Sequence, residues 1–240
     1  MKTLTAVLLI LGFTLSSCYF VSGERIEGNG HITTENRNVS SSDKIKSAGS
    51  FDIEIVKGTT PSVKIEADEN LMPYIITDNE NGWLIVKPKR NYNLRPSKKI
   101  KITVTTNELN AASIAGSGDI FSSDKFNAPS SLDLGIAGSG NINLAVNTPK
   151  VHSEIAGNGN IILSGETKDA EIKIAGSGSY KASDLKAENA LVNIAGSGDV
   201  TVFASTKLEI HIAGSGNVYY KGNPTLEQHI AGSGNIKQIQ

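Results

Sequence analysis

Through the second half of the chain, apolar and polar residues alternate one for one on either side of a recurring break. Leu132, Leu134 and Ile136 lead into Ala137-Gly138-Ser139-Gly140, and Ile142, Leu144 and Val146 lead out of it. Leu208, Ile210 and Ile212, then Val218 and Tyr220, flank the next-to-last copy in the same way. A period of two is that of a strand with one buried face, whereas a helix repeats every 3.6 residues. The break reads Ile-Ala-Gly-Ser-Gly-Asn with little variation and begins at Ile114, Ile136, Ile155, Ile174, Ile194, Ile212 and Ile230. Successive copies are 22, 19, 19, 20, 18 and 18 residues apart.

Self-similarity at this period is the mark of a solenoid. Each repeat reads as strand, Gly-Ser-Gly corner, strand and a short variable connection. The glycines suit a corner because they accept positive φ. The Asn or Asp that follows (Asp119, Asn141, Asn160, Asp199, Asn217, Asn235, with Ser179 the exception) bonds readily to nearby backbone. Two short strands cannot bury an apolar face alone. Stacked in parallel at about 4.8 Å they bury a continuous aliphatic column. An antiparallel meander would reverse every second copy and leave identical corners without a purpose. The expectation is an all-β chain, a single-stranded parallel β-helix of about seven regular coils over 107–240.

Residues 44–106 are rich in strands but less regular. Lys46-Ser47-Ala48-Gly49-Ser50 resembles a worn copy of the break, and Asn81-Gly82 signals a hairpin. These strands are expected to cover the N-terminal end of the solenoid or to form its first wide coils, since an open coil end is a sheet edge. The β-helix domain is therefore placed at 44–240. Residues 18–43 are read as a tether, although Ile26 and Ile32 keep the repeat's spacing. Residues 1–17 are read as an export leader: Lys2, an apolar run from Leu4 to Leu15 too short to span a bilayer, then Leu15-Ser16-Ser17-Cys18. That last stretch resembles the lipobox of bacterial lipoproteins, which implies cleavage before Cys18 and a lipid on its sulfur. Cys18 is the only cysteine, so no intramolecular disulfide can form.

The repeated Ile-Ala-Gly-Ser-Gly-Asn/Asp behind such a leader resembles the auto-transporter adhesin head family, also called the GIN domain, of Bacteroidetes. The resemblance covers roughly residues 45–240. It implies a right-handed β-helix in the cell envelope with an adhesive role, anchored to the outer membrane, and it carries no catalytic residues over.

Composition narrows the chemistry. A formal charge of −1 lacks the basic excess of general nucleic-acid binders. Asp119 and Asp199 share a column but lie four coils apart, about 19 Å at strand spacing, too far to act as a catalytic pair. The acidic slot of the repeat differs from that of glycine-rich calcium repeats, so a ladder of Asn side chains is the expectation there. No metal site or cofactor is expected; His211 and His229, 18 residues apart, are the one pair placed to share a soft divalent ion. Lys87, Lys89, Arg90, Tyr92, Arg95, Lys98 and Lys99 form a basic loop between two strands, suited to lipid headgroups or anionic glycans. Trp83 beside it is read as part of the cap core. Three functions remain open: a lipid-anchored adhesin or surface scaffold contacting glycans or envelope proteins, a polysaccharide-processing β-helix enzyme, and a periplasm-facing structural or stress-response scaffold. Pairing of two copies through the last coil is a further expectation.

Overall fold

The structure, a computed structural model, describes residues 23–40 and 42–240; the leader and Cys18 lie outside them. The first strands in chain order are β1 (Glu24–Glu27), β2 (Ile32–Asn38), β3 (Lys44–Gly49), β4 (Asp52–Lys57) and β5 (Ser62–Asp68). A 3-10 turn over Glu69–Tyr74 leads to β6 (Ile75–Glu80), β7 (Trp83–Pro88), β8 (Tyr92–Arg95) and β9 (Lys101–Thr106). The repeats supply β10 (Ala111–Gly116), β11 (Asp119–Asn127), β12 (Leu132–Gly138), β13 (Asn141–Gly157) and β14 (Asn160–Gly176). They end with β15 (Ser179–Gly196), β16 (Asp199–Gly214), β17 (Asn217–Lys221), β18 (Thr225–Gly232) and β19 (Asn235–Gln238).

From β10 onward every pairing is parallel and in repeat register. Ile114, Ile136, Ile155, Ile174, Ile194, Ile212 and Ile230 stack as one column. Ile120, Ile142, Ile161, Tyr180, Val200, Val218 and Ile236 form a second. The molecule is the expected β-helix. The side chains from Ile114 to Ile212 in the first column and from Ile120 to Val218 in the second are buried, each contributing on the order of 1.5–3 kcal/mol. Tyr180 is the tallest of them, and its hydroxyl, like those of Ser47 and Ser153, is buried with no hydrogen-bond partner among the described residues. One expectation is corrected. Most of the variable connections are themselves strand: β13 to β16 run unbroken for 16 to 18 residues, and from β10 onward only residues 128–131 and 222–224 interrupt the strands between coils. Differences in repeat length are absorbed by register shifts, as between Phe121 and Lys125 and between Ala182 and Lys186.

The corners lie directly over one another. Ser139 N–H donates to Gly116 O at 2.9 Å, Ser177 to Gly157 at 3.0 Å and Ser215 to Gly196 at 2.8 Å. The first glycine of each corner has positive φ, 130° at Gly176, and a Cβ there would lie 2.4 Å from Gly157 O of the coil below. The second glycine is needed for space. A Cβ on Gly159 would meet Gly140 O at 2.4 Å and Ile136 Cγ2 at 2.6 Å.

The worn copy belongs to the same stack. Gly49 pairs with Gly116 in register, and Ser117 N–H donates to Gly49 O at 2.9 Å. β3 and β4 thus form a coil beneath β10 and β11. β7 and β9, which come later in the chain, pair in parallel with β3 and β4 from the other side and form the outermost coil. Beyond it the direction changes. β6 pairs antiparallel with β7, β5 with β9, and β2 with β5. The hairpin turn Asn81-Gly82 has φ of 51° and 80°. These reversed strands seal the parallel stack, and Leu71 and Met72 of the 3-10 turn are buried, Met72 as part of the continuous core. The tether expectation is therefore corrected: within 18–43, residues 24–27 and 32–38 are strands, because β1 finds β8 and β2 finds the open edge of β5.

Candidate binding surface at the N-terminal corner

In the regular coils two residues turn the corner between strands. In the outermost coil β7 ends at Pro88 and β9 begins at Lys101, so residues 89–100 make an excursion where a Gly-Ser-Gly bend would stand. The coil above is adapted to it. By register Phe51 occupies the position of Gly118, and with no tight bend beneath it the ring is accommodated, buried beside Gly49 and Pro88. The basic loop read from the sequence is this expanded corner. It is not a hairpin tip: β7 and β9 are the two sides of one coil, and the excursion carries β8, which pairs in parallel with β1.

The seven residues singled out there divide by partner. Lys87 Nζ binds Glu80 at 2.5 Å and Lys99 Nζ binds Asp52 at 2.8 Å; hydrogen bonds to those carboxylates raise both lysines above their ordinary value. Lys89 lies over the rings of Tyr74 and Tyr92, at 5.8 and 5.6 Å from their centroids, in cation–π geometry. The two rings are 4.6 Å apart and tilted. Arg90, Arg95 and Lys98 are exposed and have no ion-pair partner among the described residues. Behind them a half-open pocket of about 620 Å³ has an apolar wall of Phe51, Pro88, Tyr92, Leu94 and Pro96, with Lys98 and Lys99 among its polar lining. That volume lies in the range, about 300–1,000 Å³, of small-molecule sites. Trp83, read as cap core, is half-buried at the start of β7.

The excursion is held from below by a carboxylate that sequence reasoning missed. Asp68, fully buried at the end of β5, accepts from Gly30 N–H at 2.8 Å, Ser97 N–H at 2.9 Å and Ser97 Oγ–H at 2.6 Å. Burial alone would raise its pKa; the hydrogen bonds from Ser97 and Gly30 outweigh it and hold it below the ordinary value. No local pattern marks Asp68 out, since its partners lie 29 and 38 residues away.

The remaining candidates lie along the coils. The Asx column is a hydrogen-bonded ladder: Asn141 Nδ2 donates to Asp119 at 2.7 Å, Asn160 to Asn141 at 2.7 Å and Asn217 to Asp199 at 2.9 Å. Asp119 and Asp199 serve as acceptors in it, separated by Asn141, Asn160 and Ser179. His211 and His229 sit on adjacent coils, with rings stacked 5.2 Å apart and 12° from parallel. Lone pairs lie in the plane of an imidazole, so near-parallel rings do not aim at one point. His211 Nε2 is instead 2.9 Å from Glu209 Oε1, and hydrogen bonds from His211 and Lys207 lower Glu209. Lys173 faces Glu154 across one coil but pairs at 2.8 Å with Glu171 on its own strand.

Residues 41–224 match the family model described as "Putative auto-transporter adhesin, head GIN domain". No curated protein matches the chain in sequence. Among solved structures, one described as a putative lipid binding protein from Parabacteroides distasonis is 32% identical with a TM-score of 0.76, covering 90% of this chain and 100% of its own. One described as a putative adhesin from Bacteroides fragilis is 26% identical with a TM-score of 0.84, covering 89% and 100%. One described as a putative adhesin from Parabacteroides merdae is 24% identical with a TM-score of 0.71, covering 91% and 100%, and shows the shared fold.

Proposed function

From the premise that the chain belongs to the auto-transporter adhesin head, or GIN domain, family, we propose that it is a non-enzymatic lipoprotein of the cell envelope. In this reading it is held to the outer membrane through Cys18 and presents its β-helix as a rigid column for binding glycans or other envelope proteins. The observation that carries this is where the chain enters the fold. Gly23 and β1 lie against the expanded corner of the outermost coil, so an anchor at Cys18 holds one end of the column while later coils climb away, about 4.8 Å apiece. The lipobox-like Leu15-Ser16-Ser17-Cys18 supplies the anchor. No helix among the described residues is long and apolar enough to cross a membrane. The acidic residues of the Asx ladder support a binding role over hydrolysis, because they are engaged as acceptors and spread along the axis.

The test is metabolic labelling with an alkynyl fatty acid, together with a glycan-binding screen of the purified chain. The expected result is label on the wild type, none on Cys18→Ser, and at least one glycan or envelope ligand bound by both. An unlabelled wild type, or turnover of a polysaccharide in the same screen, contradicts the reading.

A further inference from the structure

We propose that the expanded corner is a foot: its unpaired cations rest on the anionic headgroups of the membrane that holds the chain. This deepens the anchored reading and rests on it. The excursion over 89–100 places Lys89, Arg90, Arg95 and Lys98 at the end of the column where the chain enters. Its neighbouring charges are consumed by pairing, Lys87 by Glu80, Lys99 by Asp52 and Arg25 by Glu27 at 2.6 Å. On β1 the carboxylate of Glu24 alone has no such partner among the described residues. Four cations therefore face two carboxylates, Glu24 on β1 and the buried Asp68 that holds Ser97, in a chain whose formal charge is −1. The surplus is local.

Distance makes this corner the part of the molecule nearest the bilayer. Glu24 N–H donates to Asn91 O at 2.8 Å, and β1 runs beside β8 in register, Glu24 with Tyr92 through Glu27 with Arg95. The chain thus meets the fold between Arg90 and Arg95. Four residues separate Cys18 from Gly23, and the five residue-to-residue steps between them span at most about 18 Å when extended. A lipid on Cys18 holds the cations close to the headgroups, while the last coil, β18 and β19, is at the far end of the stack. Charges near an anionic leaflet act within a Debye length, about 8 Å at physiological salt, so a tether this short lets them contribute. The apolar wall of Tyr92, Leu94 and Pro96 beside them suits the interfacial zone better than water.

The experiment uses the mature chain with Cys18→Ser, so that no acyl chain retains it, and vesicles of phosphatidylcholine with and without phosphatidylglycerol. Each cation near an anionic surface contributes roughly a fivefold gain in partitioning. The chain is expected to sediment with the phosphatidylglycerol vesicles, to release as salt is raised, and to ignore pure phosphatidylcholine. Adding Arg90→Ser, Arg95→Ser and Lys98→Ser should weaken binding by about two orders of magnitude. The same charge change at Lys168, Lys181 and Lys237, exposed lysines of the later coils, should leave it within a few-fold, and equal unfolding midpoints show that all variants are folded. Overturning results are equal loss in both triple variants, no loss in either, equal binding to both vesicles, or retention on an acidic polysaccharide without retention on vesicles. Absence of fatty-acid label at Cys18 would remove the anchor yet leave the vesicle result readable, so the two failures are distinct.

Discussion

A corner glycine and a hairpin glycine of positive φ answer different demands. Gly176 needs a φ of 130° and faces Gly157 O where a Cβ would lie 2.4 Å away; Gly82 needs a φ of 80° but has nothing within 4 Å. Gly82→Ala is therefore expected to cost about 1–2 kcal/mol from backbone strain alone. Gly176→Ala adds a clash with backbone that cannot move without shifting the coil beneath, for a total of about 3–5 kcal/mol. Urea denaturation of the two variants checks the difference, and equal losses would show that the coils are not packed as tightly as the corner contacts require. The stacking glycines were legible because their spacing repeats. Phe51 was not: an aromatic ring in the slot of Gly118 makes sense only once the coil beneath is known to open.

Among the elements, the repeats and the cap differ in how much their pattern reveals. Alternation around Ile114 to Ile236 names both the strands and their neighbours, since identical corners stack on identical corners. The same alternation in β5, β6, β7 and β9 names strands but not partners or direction. Nothing in Trp83–Pro88 or Lys101–Thr106 says that they lie outside β3 and β4 against chain order, so the sequence shows the basic loop as lying between two strands and not as an enlarged corner. Asp68 ties this region together by bonding Gly30 and Ser97. Asp68→Asn leaves a weaker acceptor and an amide without matching partners in a buried site, and should cost about 1–3 kcal/mol. The pH dependence has a definite sign. The folded carboxyl titrates below its ordinary 3.8, so its contribution is complete above that pH and is lost as pH falls through the lowered folded value. Wild-type stability should decline through this acidic window more steeply than that of Asp68→Asn, as thermal unfolding across pH would show; parallel curves would remove Asp68 from the account.

For the whole molecule, the column converts a one-dimensional repeat into a polar object with unlike ends. One end is sealed by reversed strands and bears the chain entry and the free cations. The other end is the coil of β18 and β19, where Gln228 and Gln238 stand in register with Ile210 and Tyr220 and Ile230 is 41% exposed. An adhesin-type role requires that this second end and the coils leading to it reach the outside. A single cysteine at Ser233, exposed on the last corner, reads this directly: Cys18 is the only native cysteine and is silent once acylated. A membrane-impermeant maleimide applied to intact cells carrying Ser233→Cys should label the protein to the same extent as in broken cells. Label that enters only after the envelope is broken would place the column in the periplasm and contradict the adhesin reading.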